Sequence, residues 1–214
     1  MVRLMTVATD RSTVIFLVDT SGSMFGQKIE AVNAAIAECI EVIRNHNNDG
    51  SIQMGYATFD EKWGDFVIKD DIGTVGFKVK SNPDGFYNLT SFQCLYEGLE
   101  RCLTLFNNEN TIGKSKLCLF LITDGKPADS GEYTEVLERV KSMNAFRNAE
   151  RYVVMVGSDN GMDNDVLEFV GYKADKIVKL NDAASTLLKV SFLSGSSGDD
   201  SSADAARYNR IFGD

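Results

Sequence analysis

Histidine is nearly missing from this chain, as are paired cysteines, any excess of positive charge and any long apolar run. Each shortage closes off a class of function. The one histidine, His46, stands near the expected end of a polar helix, which leaves histidine-based acid–base or nucleophilic chemistry without its usual residue. Cys39, Cys94, Cys102 and Cys118 show no C-x-x-C spacing and fall within expected helices or a strand. They read as small core hydrophobes rather than as metal ligands or disulfides. Lys and Arg total 22 against 31 Asp and Glu, for a net charge of -9, so neither nucleic acid nor a membrane is an expected partner. Met1-Val2-Arg3-Leu4-Met5 lacks the apolar core of a signal peptide and no stretch is long enough to span a bilayer; the expected location is cytoplasmic.

What is present suits one large domain with a tail. Hydrophobic residues make up 43% of the 214, enough for a substantial core. Strand and helix patterns alternate, which predicts an α/β fold. Val14–Val18 and Leu117–Ile122 read as strands buried on both faces, as in a parallel sheet. Between them, Ile29, Val32, Ile36, Ile40 and Ile43 recur at helical spacing. Ser51–Phe59 alternates as a strand, and Trp63–Ile68 is expected to return as an antiparallel edge strand. Asp70 to Asn88 forms a long connection before a helix marked by Leu95, Leu99, Leu103 and Phe106. A helix at Val136–Val140, a strand at Tyr152–Val156, a short helix at Val166–Val170, a short strand at Lys176–Val178 and a last helix at Ala183–Phe192 complete the alternation. The expected domain is 1–193; residues 194–214 read as a flexible Ser/Gly/Asp-rich tail, whose end at Ala203–Phe212 is either disordered or a docking segment.

The chemistry concentrates at strand ends. Asp19-Thr20-Ser21-Gly22-Ser23 follows the first buried strand and places a carboxylate and two hydroxyls at alternate positions. Asp124-Gly125 follows the second, and Thr90 leaves the long loop just before a helix. Ligands of open α/β sheets bind beyond the carboxyl ends of the strands, where strand order reverses. If the two strands are neighbours, Asp19 and Asp124 face each other there, and hard cations such as Mg2+ favour oxygen donors of this kind. A plainer reading makes Ser21 or Ser23 a helix cap, Thr90 or Ser91 another, and Asp124-Gly125 a turn.

The run Asp19-Thr20-Ser21-Gly22-Ser23-Met24, with Thr90 and Thr123-Asp124-Gly125, closely resembles the metal-ion-dependent adhesion site (MIDAS) of von Willebrand factor A (VWA) domains. The resemblance covers roughly Ser12 to Leu193. Within the family, Gln27–Asn33, Ala57–Asp60, Leu121–Pro127 and Asp182–Gly198 look most like bacterial TerY-type proteins of tellurite-resistance and stress operons. The family often has Gly-Gly-Thr before the second helix, where this chain has Asn88-Leu89-Thr90-Ser91, so the third-loop ligand is Thr90 or Ser91.

The resemblance implies a doubly wound, mostly parallel six-stranded sheet with one antiparallel edge strand and helices on both faces. It implies a non-enzymatic interaction module. Ser21, Ser23 and Thr90 would bind Mg2+ (or Mn2+ or Ca2+) through hydroxyls, with Asp19 and Asp124 acting directly or through water. The cation would accept an acidic side chain from a partner protein, with an operon-encoded kinase or phosphatase as the candidate partner. Met24, Phe25, Phe92 and Lys126 are the expected rim. A Mg2+-dependent phosphatase using Asp19 is the rival, weakened because that chemistry wants D-x-D and position 21 is serine. An aspartic-protease reading of Asp19-Thr20-Ser21-Gly22 fails for lack of a second matching loop.

Overall fold

The structure is a computed structural model that describes residues 11–46, 52–64, 66–69, 78–79, 89–106, 115–125, 127–129, 131–157, 164–183 and 186. The expected tail, Lys126 and the last helix beyond Ala183 and Thr186 lie outside the described residues, as does the long connection except for Lys78 and Val79.

Among the described residues the strands are β1 (Arg11–Asp19), β2 (Ile52–Phe59), β3 (Val67–Lys69), β4 (Ser115–Thr123), β5 (Glu150–Met155) and β6 (Ile177–Lys179). They form one six-stranded sheet in the order β3-β2-β1-β4-β5-β6, parallel throughout except for β3, which runs antiparallel to β2. The alternating pattern predicts the α/β class, and the six-stranded, mostly parallel sheet with one antiparallel edge strand is the one the resemblance implies. The edge strand is displaced from its expected place: Trp63 makes only an isolated bridge to Phe59, and regular pairing resumes at Val67.

Among the described residues the α-helices are α1 (Gln27–His46), α2 (Phe92–Leu103), α3 (Thr134–Ser142), α4 (Asn144–Asn148) and α5 (Asn164–Phe169). From β1 the chain moves one way along the sheet to β2, and from β4 it moves the other way to β5. Right-handed crossovers therefore put α1 and α3 on opposite faces. Two cores result. Val14, Phe16 and Val18 of β1 pack with Ile29, Val32, Ile36 and Ile43 of α1, while Ile15 and Leu17 face Leu95, Leu99, Val136 and Val140. Both faces of β1 and β4 are thus covered, which is why their sequences read as unbroken apolar runs. Each of these fully buried aliphatic or aromatic side chains contributes about 1.5–3 kcal/mol.

Val79, far from α1 in sequence, is held by both ends of the Asn33 amide at 2.9 Å and buries its side chain beside α1. The long connection is pinned to the sheet's α1 face at that point.

Candidate metal centre

β1 and β4 are parallel neighbours, with Val18 opposite Ile122, and the chain leaves them in opposite directions. Their carboxyl ends bound the crevice where ligands of such sheets bind, and the loops leaving them carry Asp19 and Asp124.

Asp19 is 0% exposed. Its Oδ1 accepts the Ser21 backbone N–H at 2.9 Å, and its Oδ2 lies 3.0 Å from Thr90 Oγ1 and 2.7 Å from Thr123 Oγ1. Thr90 Oγ1 is also 2.8 Å from Ser21 Oγ, which is 3.1 Å from Ser23 Oγ. A hydroxyl has one proton and a carboxylate can only accept. With Asp19 ionised, Thr90 therefore donates to Asp19 and accepts from Ser21, which in turn accepts from Ser23. The result is a directed chain of hydroxyls running from buried Asp19, Thr90 and Ser21 to exposed Ser23.

The neighbouring loops hold that chain in place. Thr20 N donates to Phe59 O at 2.8 Å, and Ala128 N donates to Thr90 O at 2.8 Å. Ser91, not Thr90, caps α2: its Oγ accepts from Cys94 N and donates to Asp129. Of the two third-loop candidates, then, Thr90 joins the Asp19 cluster and Ser91 serves the helix. Ser21 precedes a short 3-10 turn, Gly22–Met24, without a side-chain cap bond, so the simple helix-cap reading of its hydroxyl does not hold.

Burial is the largest influence on the Asp19 carboxyl and holds its pKa above the usual carboxylate range. Bonds from Thr123 and Ser21 oppose that rise, and the nearby charge of Asp124 adds to it. Among the described residues its hydrogen-bond partners are all neutral donors. A buried anion with no cationic partner is an unfavourable state that a bound cation relieves. Asp124 is different: its Oδ2 receives the ammonium of Lys28 at 2.7 Å.

No cluster of three or more His, Cys, Asp or Glu side chains suited to a metal occurs among the described residues. The oxygens here are mostly hydroxyls, a hard donor set that fits Mg2+, Mn2+ or Ca2+ better than a soft metal. Asp19 is poorly placed as a nucleophile, being buried with both oxygens engaged.

The expected rim needs correction. Met24 is 1% and Phe92 0% exposed; they pack in the two opposite cores beneath the loops. Phe25 is 45% exposed, and Leu89, beside Thr90, is 56% exposed. Leu89 went unnoticed in the sequence because a lone leucine in a polar loop gives no signal. Thr123 was missed as well: it ends a strand, and only the folded register turns its hydroxyl onto Asp19.

The model of the von Willebrand factor type A domain matches residues 13–190, and the chain belongs to that family. Its fold is similar to proximal thread matrix protein 1 from the mussel byssus, at 13% identity over 88% of this chain and 49% of that one, with TM-score 0.56. A second structure of that mussel protein is described with a zinc-occupied MIDAS motif. The SpaC pilus adhesin of Lactobacillus rhamnosus GG is similar at 13% identity over 85% of this chain and 30% of that one, TM-score 0.56. The ArnB paralog VWA2 of Sulfolobus acidocaldarius is similar at 15% identity over 85% and 45%, TM-score 0.53. The chain spans half or less of the length of these proteins, and likenesses at such identity speak for the fold. Among curated proteins, none is similar enough to count as a match.

Proposed function

We propose that this chain is a metal-dependent protein-binding module. Ser21, Ser23 and Thr90 would hold a divalent cation through their hydroxyls, with Asp19 and Asp124 supplying charge directly or through water. The carrying observation is the run of oxygens Ser23–Ser21–Thr90–Asp19, each within 3.1 Å of the next, at the crevice between β1 and β4. When bound, a cation ringed largely by neutral hydroxyls keeps residual positive charge that attracts a carboxylate, an interaction strongest where water is excluded.

The site residues orient and exclude. Thr123 and the Ser21 amide fix the Asp19 carboxylate, and Asp19 in turn aligns Thr90. Phe25 and Leu89, exposed and close in sequence to Ser23 and Thr90, would give the site an apolar border, suited to a partner that presents Asp or Glu beside apolar residues. Use of this type of site for binding proteins across the VWA family supports a non-enzymatic role. We place the chain nearest the TerY-type subgroup, with Mg2+ as the cation, a cytoplasmic setting and a kinase or phosphatase of the same stress operon as partner. The module would occupy residues 1–193 and carry 194–214 as a tail.

The test is a Mg2+ and Mn2+ titration by calorimetry and thermal shift on the wild type and the Ser21→Ala/Ser23→Ala double variant. A ligand selective for the folded state raises the melting temperature by an amount set by its concentration relative to Kd. A rise in the wild type that vanishes in the variant is expected. An equal rise in both would remove the metal from this loop.

A further inference from the structure

Lys28 lies in the first turn of α1, where the helix dipole disfavours a positive charge. Its location is explained by what it reaches. The ammonium sits 2.7 Å from Asp124 Oδ2, joining α1 to the loop after β4 across 96 residues of sequence. Its stem runs past the turn after β5: a Cβ placed on Gly157 would stand 3.5 Å from Lys28 Cε and 3.9 Å from Nζ. Gly157 has φ of +107°, a conformation that favours glycine, and the lysine stem passes this turn at van der Waals distance. Asp124 is mostly buried at this contact and Lys28 partly exposed.

Of the two carboxylates at the crevice, one is therefore already neutralised from within the chain, while among the described residues Asp19 is held by neutral donors. We propose that Lys28 is an internal counter-cation of the site. By neutralising Asp124 it weakens divalent-cation binding and leaves the occupied site more positive toward an incoming carboxylate. This inference rests on the metal-dependent reading above. It assigns to Lys28 a role in setting affinity, as a positioning and charge-balancing residue outside the ligand set.

The physical basis is simple. With Lys28 present, the cluster offers one uncompensated negative charge to a dipositive ion, and the complex is left positive. Without Lys28 it offers two, and the complex is nearly neutral. Metal affinity and carboxylate affinity should therefore move in opposite directions, which a merely structural residue would not produce.

The experiment is a calorimetric titration with Mn2+ of the full chain as wild type, Lys28→Met, Lys28→Gln and Lys28→Arg, followed by titration of each Mn2+-loaded protein with acetate. Lys28→Met and Lys28→Gln should bind Mn2+ about tenfold more tightly, a factor that a partly screened neighbouring charge can supply, and bind acetate more weakly. Lys28→Arg should behave as wild type. Unchanged or weaker Mn2+ binding in both neutral variants, with normal binding by the wild type, would overturn the counter-cation role alone. Absence of Mn2+ binding by the wild type would overturn the metal-dependent reading and this inference together.

Discussion

Replacing Asp129 by alanine should weaken both the fold and the candidate metal centre, and the size of the first effect follows from the geometry. Asp129 belongs to the loop after β4, yet it completes the start of α2. Its Oδ1 accepts Phe92 N at 2.9 Å; its Oδ2 accepts Gln93 N and Ser91 Oγ, each at 2.8 Å. The next amide, Cys94 N, goes to Ser91 Oγ, and Leu95 N goes to Ser91 O. The first turn of α2 thus depends on a carboxylate more than thirty residues away for two of its amide partners. Losing a capping acceptor costs about 1 kcal/mol, within a range of about 0.5–2. Losing a negative charge at a helix N-terminus costs about 0.5 kcal/mol more. The total of about 1.5 kcal/mol corresponds to a fall of about 3–6 °C in melting temperature for a domain of this size. Asp129→Asn, which keeps an acceptor oxygen, should lose about half as much. Because Thr90 adjoins this turn and its carbonyl is bound by Ala128 N, Mn2+ affinity should also fall in Asp129→Ala. Calorimetric melting with and without Mn2+ reads both quantities. A melting temperature within about 1 °C of wild type, well short of the expected shift, would refute the capping argument. A large fall with unchanged Mn2+ affinity would refute the link to Thr90.

Two further predictions concern the cost of the site and of a close approach. Burial raises the folded-state pKa of Asp19, so the folded protein holds that proton more tightly than the unfolded chain, and ionisation destabilises the metal-free fold as pH rises through the raised value. Asp19→Asn should therefore melt higher than wild type in EDTA at pH 7, with the gain shrinking as pH falls toward the unfolded carboxylate value of about 4, while losing all stabilisation by Mg2+; a lower melting temperature at pH 7 would contradict this. Gly98 lies in α2, and a Cβ there would fall 2.0 Å from two ring carbons of Trp63. Gly98→Ala should lower the urea midpoint by the equivalent of about 1–3 kcal/mol, despite a helix-propensity gain of about 1 kcal/mol, and an unchanged midpoint would mean that Trp63 moves aside freely.

Much of this protein was decided by local sequence. The unbroken apolar runs of β1 and β4 announced strands covered on both faces, because period-2 alternation disappears when both sides are buried. The isoleucine and valine spacing of α1 announced a helix with one buried stripe. Asp19, Ser21 and Ser23 could be singled out because they occupy consecutive alternate positions right after a buried strand. The long-range arrangement lay beyond such patterns. That Thr90 rather than Ser91 joins Asp19, that Thr123 turns its hydroxyl onto the same carboxylate and that Asp129 caps α2 all depend on which loops the sheet order brings together. Met24 and Phe92 likewise looked like rim residues in a linear chain, and only packing placed them under the loops. Lys28 is the clearest case: a lysine in a helix's first turn has no local meaning until the parallel pairing of β1 with β4 sets Asp124 within reach of its ammonium. Periodicity records which face of an element is buried, whereas the partner across a crevice is fixed by topology, and no local pattern encodes that distance.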